Sequence, residues 1–348
     1  MAVTECRLSV ELFRPIFQEI KDSETLVSLS LTNKLFQSEA QRILFFFPAY
    51  FSTRPRQHLR LLTCLLNNPR LALLVKKYHV PAVIGPKKAA IWTLLGSVLP
   101  YMTNLKEFSV SAFRDDINLL PMEKLAFQLE VLTWIQVDSM NCGIFPKWLA
   151  TQKKLKKLKW ISRTPVEVPA SACPNLISLE GTFHAINALL PGRDIKRLYW
   201  LADPALERSP LVGNTLDRLS GSMESLESLS FDTRVNAIHY HGLASHLPSL
   251  VLLELNGCDV ESINNTVSSI SNLRHIVLST QKGYGRRDVF TMKKRADVVQ
   301  GVFSRSPTLV RVDIAVNLEG SHCKVFYERW ENGNRREDLV PSTDIFQH

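Results

Sequence analysis

Apolar residues return along most of the chain in one short pattern, in which a leading apolar residue is followed by others three and five positions later. The leading residues are Leu105, Leu129, Leu155, Leu176, Ile195, Leu226, Leu250, Leu273 and Leu309. Side chains alternate between the two faces of a strand, so the last two apolar positions of the pattern enter one core. We predict a short strand at each occurrence, with Trp134, Trp160 and Trp200 buried in that core.

Amphipathic stretches of helical period lie between several of these strands, as do prolines that stop a helix. The predicted helices span residues 183–191, 237–248, 259–271 and 295–307, and a weaker first strand lies within 71–80. Strand, turn, helix and turn then repeat about every 24 residues. A doubly wound α/β sheet also alternates strands and helices, but its strands are longer and richer in valine and isoleucine.

The repeat resembles the leucine-rich repeat, in which short strands and helices stack into a solenoid. The resemblance implies an α/β fold with about nine or ten strand–helix repeats. Wider spacing after residues 194–200 and 272–278 indicates insertions there. Residues 323–341 predict a hairpin around Asn332-Gly333, which we interpret as a cap on the end of the solenoid.

The first 47 residues carry a different pattern, typical of short amphipathic helices. Leu12, Ile16, Phe17 and Ile20 fall on one stripe of a helix, and residues 23–32 and 33–45 predict two more helices. Three such short helices cannot bury all of this apolar surface by themselves. Part of it must face the repeats or another protein.

Residues 6–47 resemble an F-box, the helical motif that docks a substrate receptor onto the Skp-type adaptor of a cullin-RING ubiquitin ligase. The resemblance rests on LSVELFRPIFQEI, on LVSLSLT and on the ending NKLF, and the phrase LTNKLFQSEAQRILF resembles fungal members. It implies that eight residues contact the adaptor or shape the contact surface: Leu8, Leu12, Ile16, Phe17, Ile20, Leu26, Leu31 and Phe36. Ser9 replaces the usual proline and Phe36 the usual tryptophan, so we expect weaker adaptor binding. The alternative is an ordinary helical cap on the solenoid.

The predicted organisation has four parts. Residues 1–47 form the F-box, 48–70 a helical linker or N-terminal cap, 71–317 the leucine-rich repeats and 318–348 the C-terminal hairpin cap. The F-box resemblance gives the first boundary, and the repeat pattern gives the others.

Composition excludes some classes of protein. A chain that is 45% hydrophobic does not have the composition of a disordered protein, and no uncharged stretch of about 18 residues predicts a membrane span. Charges within the first 20 residues argue against a signal peptide, and six dispersed cysteines favour reduced thiols. We therefore expect an intracellular protein of the cytoplasm and/or nucleus. The basic residues between Arg286 and Arg295 resemble a nuclear import signal, but such runs are weak evidence and we favour a solvated loop.

Motifs for catalysis are absent from the sequence, including nucleophile-elbow, zinc-protease, phosphate-loop and dinucleotide patterns. His239, His241 and His246 lack a carboxylate or cysteine at a matching offset. We expect no enzymatic activity, no cofactor and no metal site.

One face of the predicted strands is a candidate binding surface, because residues between the core positions point away from the core. The residues that we select there are Lys157, Lys159, Arg197, Tyr199, His275 and Arg311. Clustered cations and hydrogen-bond donors suit carboxylate or phosphate groups, so the expected target is an acidic or phosphorylated protein segment. A lysine-rich face kept for solubility is the alternative.

The leading hypothesis is therefore a substrate-recognition subunit of an SCF-type cullin-RING ubiquitin ligase, which binds a Skp-type adaptor and through it a cullin. The alternative is a leucine-rich-repeat interaction scaffold outside any ligase. Nucleic-acid binding through the Lys153–Lys159 and Arg286–Arg295 clusters is a third and weaker hypothesis, because Trp160, the aromatic residue beside the first cluster, belongs to the predicted core.

Overall fold

The computed structural model describes residues 10–48, 54–80, 87–113, 120–137, 144–201, 219–232, 244–257, 260–279, 292–316 and 326–341. The chain divides into two compact units, Met1–Leu155 and Lys156–His348. Helices and mainly parallel strands build both units, so the chain has an α/β fold. The four-part organisation predicted from the sequence stays a prediction.

The first unit contains helices followed by short parallel strands. Its described helices are α1 (Val10–Glu19), α2 (Ser23–Ser30), α3 (Lys34–Leu44), α4 (Pro55–Asn67), α5 (Pro69–Ala72), α6 (Lys88–Val98) and α7 (Ile144–Leu149). Its described strands are β1 (Lys77–Val80), β2 (Glu107–Phe113) and β3 (Val131–Val137), and short 3-10 helices span Leu99–Tyr101 and Met122–Lys124. Both strand pairs are parallel, and Glu107 lies in register with Lys77 and Val131.

Helices α1 to α3 correspond to the three short helices predicted at the start of the chain, and they share a small core. Phe17, Leu26 and Ala40 are buried in it. The ring of Phe36 meets the rings of Phe13 and Phe17 edge to face, with centroids 5.1 and 5.3 Å apart. Edge-to-face pairs of this kind add to the stabilisation that burial provides.

Side-chain caps begin two of these helices. The Asp22 carboxylate accepts hydrogen bonds from the backbone N–H groups of Glu24 and Thr25, and the Asn33 side-chain oxygen accepts one from Phe36. These bonds satisfy amides that have no partner within the helix. The turns before α2 and α3 are therefore encoded locally.

The second unit repeats strand and helix in chain order. Its described strands are β4 (Lys157–Ile161), β5 (Ser178–Gly181), β6 (Arg197–Trp200), β7 (Ser228–Asp232), β8 (Leu252–Asn256), β9 (His275–Ser279), β10 (Arg311–Val316), β11 (Phe326–Glu331) and β12 (Asn334–Pro341). Its described helices are α8 (Phe183–Leu189), α9 (Val260–Ser268) and α10 (Met292–Arg305), with a 3-10 helix at Ala244–His246. Strands β4 to β10 pair in parallel, and β11 and β12 join antiparallel.

Three predicted helices of this unit are confirmed, since α8, α9 and α10 lie within or overlap residues 183–191, 259–271 and 295–307. The fourth, at 237–248, falls largely outside the described residues. The predicted insertions also fall mostly outside them, in residues 202–218 and 280–291.

A repeated hydrogen-bond pattern fixes the register of the parallel strands. The N–H groups of Ile177 and Ser178 both donate to the carbonyl of Lys156, at 2.9 and 3.0 Å. The same pairing recurs before each later parallel strand, onto the carbonyls of Ile177, Lys196, Glu227, Val251 and Arg274. Because each carbonyl lies just before a strand, the first residues of successive strands are aligned side by side.

The predicted core is confirmed. All nine leading apolar residues of the sequence pattern are buried, and so are Trp134, Trp160 and Trp200. Gly181 lies in register between Trp160 and Trp200. A Cβ atom on Gly181 would lie 2.9 Å from the carbonyl oxygen of Trp160 and 3.1 Å from the Cβ of Ala185. Close packing therefore requires glycine there.

An antiparallel hairpin follows β10, at the place where the sequence predicts one. Asn332 and Gly333 have φ angles of 50° and 83°, which is the left-handed pair that a tight hairpin turn requires. Strand β11 pairs with the edge of β10, and β12 pairs with β11. The two strands thus cover the last edge of the parallel run.

Candidate functional site

The residues predicted to serve adaptor binding fall into two groups. Phe17 and Leu26 are buried between α1, α2 and α3, and Ile20 and Phe36 pack partly buried against them. Three others are exposed: Leu12 and Ile16 by 48% each, and Leu31 by 80%. Leu8 lies outside the described residues.

The two groups have different physical roles. Buried aromatic and leucine side chains hold the three helices together and cannot touch a second protein directly. Exposed large apolar side chains such as Leu12 and Ile16, one helical turn apart on α1, are available for contact. The eight predicted residues thus include both a scaffold and a candidate contact surface.

In the second unit, all six predicted strand residues lie in two parallel rows that run across the strands. The first row is Lys157, Ser178, Arg197, Ser228, Leu252, His275, Arg311 and Glu331. The second row, two residues further along each strand, is Lys159, Glu180, Tyr199, Ser230, Glu254, Val277, Asp313 and Arg329. We call these the first row and the second row.

A groove of about 460 Å³ follows the first row from β6 to β11. Arg197, Arg311 and Arg274 line it together with an apolar floor. The remaining lining residues are Glu227, Ser228, Val251, Leu252, His275, Val310 and Glu331. The structure therefore brings Arg197, His275 and Arg311 together, as the sequence analysis expected of residues on one face.

Cations in this groove differ in how they are held. Arg197 and Arg311 are the first residues of β6 and β10, whereas Arg274 lies one position before β9 and was not among the predicted residues. The Glu331 carboxylate is held by Arg336, with its Oε2 2.8 Å from Nε of the arginine. Within the described part of the chain Arg274 is exposed and has no side-chain partner. The groove thus contains a cation available for an anionic ligand.

His275 is buried beneath this groove and orients Arg311. Its Nδ1 lies 2.7 Å from Nη2 of Arg311, and its Nε2 lies 2.8 Å from Oδ2 of Asp313. A guanidinium can only donate, so Nδ1 of His275 accepts and Nε2 carries the proton that bonds to Asp313. Burial lowers the pKa of His275, which agrees with a neutral ring. His275 is therefore a support for Arg311 rather than an exposed ligand-binding cation.

Asp313 is fully buried and binds three donors. Besides His275 it accepts two hydrogen bonds from Arg329, at 2.8 and 3.1 Å. Burial by itself would raise the pKa of Asp313, but the hydrogen bonds from His275 and Arg329 outweigh it and hold the pKa below its ordinary value. The carboxylate therefore stays charged and fixes this end of the face.

The two lysines of the predicted set lie on β4, at the other end of the rows. Lys159 donates to Glu180 on the neighbouring strand, with Nζ 2.5 Å from Oε1. Lys157 is exposed at the start of the first row. Neither lysine lines the groove or the other cavity described below. The two lysines therefore do not share a cavity with Arg197 and Arg311, contrary to the expectation of one basic patch.

A second, smaller cavity of about 230 Å³ lies on the second row and shares Arg197, Ser228 and Leu252 with the groove. Tyr199, which the sequence analysis selected, and Glu254, which it did not select, both line it. The other lining residues are Ser178, Glu180, Leu198 and Ser230. In the sequence pattern Glu254 occupies a position that faces away from the core. Its burial could not be predicted from the sequence, because it depends on neighbouring strands.

Near β10, the strand positions that the alternation pattern predicts to face outward are less exposed than expected. Val277 is buried because Tyr327 of β11 packs against it, with Ala315 and Val340 completing the cluster. The same hairpin supplies Arg329, which covers Asp313. The hairpin therefore closes this end of the face, and the open groove begins beside it.

The basic segment between Arg286 and Arg295 requires a correction at its end. Arg295 is buried on α10 and donates to Glu328 of β11, with Nη1 3.0 Å from Oε2. Arg295 therefore forms a structural ion pair and does not belong to an exposed import signal or a solvated loop. Residues 280–291 lie outside the described residues.

The described residues contain neither a metal-binding cluster nor a membrane-spanning helix. No group of three histidine, cysteine or carboxylate side chains among them is placed to hold a metal ion. None of the helices described combines the length and the apolar character that crossing a bilayer requires.

Comparison with known proteins gives little guidance. No protein-family model matches the chain, and no curated protein matches it. One similar solved structure is the crystal structure of the Rad7 and Elc1 complex in yeast, which is 14% identical over 83% of this chain and 92% of that chain, with a TM-score of 0.28. A superposition this poor carries no argument about function, so the candidate site is defined by its own geometry.

Proposed function

We propose that the chain is a substrate-recognition subunit of an SCF-type cullin-RING ubiquitin ligase. In this proposal the helices α1 to α3 are an F-box that docks on a Skp-type adaptor, and through it on a cullin. The parallel strands form a leucine-rich-repeat solenoid whose first row binds the target protein. The chain itself performs no bond chemistry and acts in the cytoplasm and/or nucleus.

The observation that carries the proposal is the division of the apolar residues of α1 to α3. Phe17, Leu26 and Phe36 close a core, while Leu12, Ile16 and Leu31 remain exposed by about half or more. Large apolar side chains left in water are costly, and they are typical of surfaces that another protein covers.

The groove along the first row supports the target-binding half of the proposal. Arginine side chains above an apolar floor suit a protein segment with an acidic or phosphorylated side chain, because guanidinium groups bind carboxylate and phosphate oxygens in paired hydrogen bonds. Positioning a target in this way raises its effective concentration near the conjugating enzyme.

Co-purification with a purified Skp-type adaptor tests the proposal. We expect a one-to-one complex with the wild type that is lost in the Leu12→Asp/Ile16→Asp variant, because charges would replace the exposed apolar contacts. Leu73→Asp is the matched control, since Leu73 is 42% exposed but lies after α5, outside the three helices.

The contrary result is equally clear. A folded wild type that forms no complex, or an equal loss of binding in the Leu73→Asp control, would overturn adaptor docking. The strands would then be better described as an interaction scaffold outside a ligase.

A further inference from the structure

Glu254 is a buried carboxylate whose hydrogen-bond donors are both neutral. It is only 4% exposed. The hydroxyl of Ser230 donates to Oε2 at 2.5 Å, and the hydroxyl of Ser279 donates to Oε1 at 2.7 Å. Because Ser279 gives its proton to Glu254, Tyr327 must donate to the oxygen of Ser279, 3.0 Å away. No cation pairs with Glu254 in the described part of the chain.

The other acids of the second row are paired differently. Glu180 has Lys159 as its ion-pair partner, and Asp313 has Arg329. A charge removed from water without an opposite charge is unfavourable, which is why buried carboxylates are usually paired. Among the acids of the second row, Glu254 is the one for which the described residues supply no cationic partner.

Glu254 also lines an open space. The second cavity, of about 230 Å³, is smaller than the cavities that hold whole ligands and suits a single side chain. Its lining includes Tyr199, Ser178, Ser230 and a second carboxylate residue, Glu180, and it shares Arg197 with the groove. A carboxylate, an aromatic ring and hydroxyl acceptors together match the needs of a guanidinium or ammonium group.

We propose that this cavity is a subsite for an arginine or lysine side chain of the bound protein segment, with Glu254 as its counter-charge. The inference rests on the proposed function, in which the strand face binds a protein target. The groove beside it takes an acidic side chain, and the first and second rows are two residues apart, about 7 Å along a strand. An extended segment places alternate side chains at that same spacing, so the expected target carries an acidic and a basic residue two positions apart.

Peptide selection on the full-length chain tests the subsite. The wild type, Glu254→Gln and Arg274→Gln are each incubated with an immobilised library of random seven-residue peptides. The peptides that bind each protein are then sequenced. We expect wild-type selection to enrich acidic and basic residues at alternate positions. Glu254→Gln should lose the basic preference alone, and Arg274→Gln should weaken the acidic preference alone.

A direct probe measures the subsite without the groove. Binding of N-acetyl-arginine amide is followed by ligand-observed NMR, with N-acetyl-citrulline amide as the neutral control of similar shape. We expect arginine amide to bind at least about tenfold more tightly than citrulline amide, and the difference to disappear in Glu254→Gln.

The outcomes separate the two proposals. Enriched acidic residues without basic ones, or an arginine preference that persists in Glu254→Gln, would overturn the subsite and leave target binding intact. Failure to select any peptide on the wild type would count against target binding by this face, and the subsite would fall with it.

Thermal unfolding of Glu254→Gln gives a separate test. A melting temperature equal to or above that of the wild type would support the subsite, because an unpaired buried charge is removed, whereas a marked decrease would assign Glu254 a structural role.

Discussion

Nε2 of His275 lies 2.8 Å from Oδ2 of Asp313, although the two residues are 38 positions apart in the sequence. The bond crosses from the first row to the second row and joins two neighbouring strands. It fixes the proton of the histidine on Nε2 and so leaves Nδ1 free to accept from Arg311. One buried carboxylate thus determines the position of a cation in the groove.

We predict that Asp313→Asn destabilises the protein by about 3 kcal/mol, because it leaves the buried donors of Arg329 without their charged acceptor. Urea unfolding of the two proteins measures the difference. Asp297→Asn is the control, since Asp297 is exposed on α10 and its substitution should change stability by less than about 0.5 kcal/mol. Equal effects of the two substitutions would show that the network does not stabilise the fold.

We predict that Gly181→Ala destabilises the protein by about 2 kcal/mol. Its methyl group would meet the carbonyl of Trp160 at 2.9 Å, and backbone cannot move aside as a flexible side chain can. Thermal unfolding measures the loss. Gly221→Ala is the control because, beyond its own helix, no atom of the described residues lies within 4 Å of the added Cβ, and a helical alanine there should be neutral or stabilising.

We predict a loss of stability as the pH falls from 6.5 towards 4, caused by His58. Burial lowers the pKa of His58 from 6.5 to about 4, while the unfolded chain keeps the ordinary value. Between these two values the unfolded state binds more protons than the folded state, so the free energy of unfolding decreases with falling pH. The total decrease from this group is at most about 3 kcal/mol.

His58→Gln isolates that effect. Glutamine keeps a polar group near the hydroxyl of Tyr78, which lies 2.6 Å from Nε2 of His58, but it does not titrate. Because His79 remains in both proteins, the difference between their stability curves reports His58 together with its repulsion by His79. Parallel curves from pH 7 to 4 would contradict the prediction.

We predict opposite behaviour for two leucines of the N-terminal helices. Leu26→Ala should cost about 3 kcal/mol because Leu26 is buried with Phe17, whereas Leu31→Ala should change stability by less than about 0.5 kcal/mol because Leu31 is 80% exposed. Denaturant unfolding of both variants checks this contrast. A large loss for Leu31→Ala would mean that its side chain is covered within the chain.

The sequence predicts the structure best for large apolar residues, which are stable only in the core, and for turn residues with a required backbone conformation. The leading leucines and the tryptophans are buried as predicted, because their spacing matches the strand alternation and their size leaves no alternative. The hairpin at Asn332-Gly333 is equally local, since the turn itself requires these two residues. Helix α8 follows from its apolar period in the same way.

Charged residues could not be placed in this way. Arg193 is a cation in a polar stretch of sequence, yet it is buried and donates to the carbonyls of Ala172, Leu189 and Pro169. His275 and Lys159 were both selected as binding residues, but their partners, Asp313 and Glu180, lie 38 and 21 positions away. Burial of a charge depends on such distant partners, which periodicity does not contain.

Strand β12 has a consequence for the behaviour of the chain in concentrated solution. It is the last strand among the described residues, and its start, Asn334 to Asp338, is exposed and mostly charged. An uncovered strand edge can recruit a strand from another molecule, and charged side chains oppose that step because joining would desolvate them. Arg335 and Arg336 are already held by Glu328 and Glu331. The hairpin therefore protects the protein against edge-to-edge aggregation. Neutral substitutions of Glu337 and Asp338 would expose this edge to polymerisation and leave the ion pair between Arg336 and Glu331 of the groove in place.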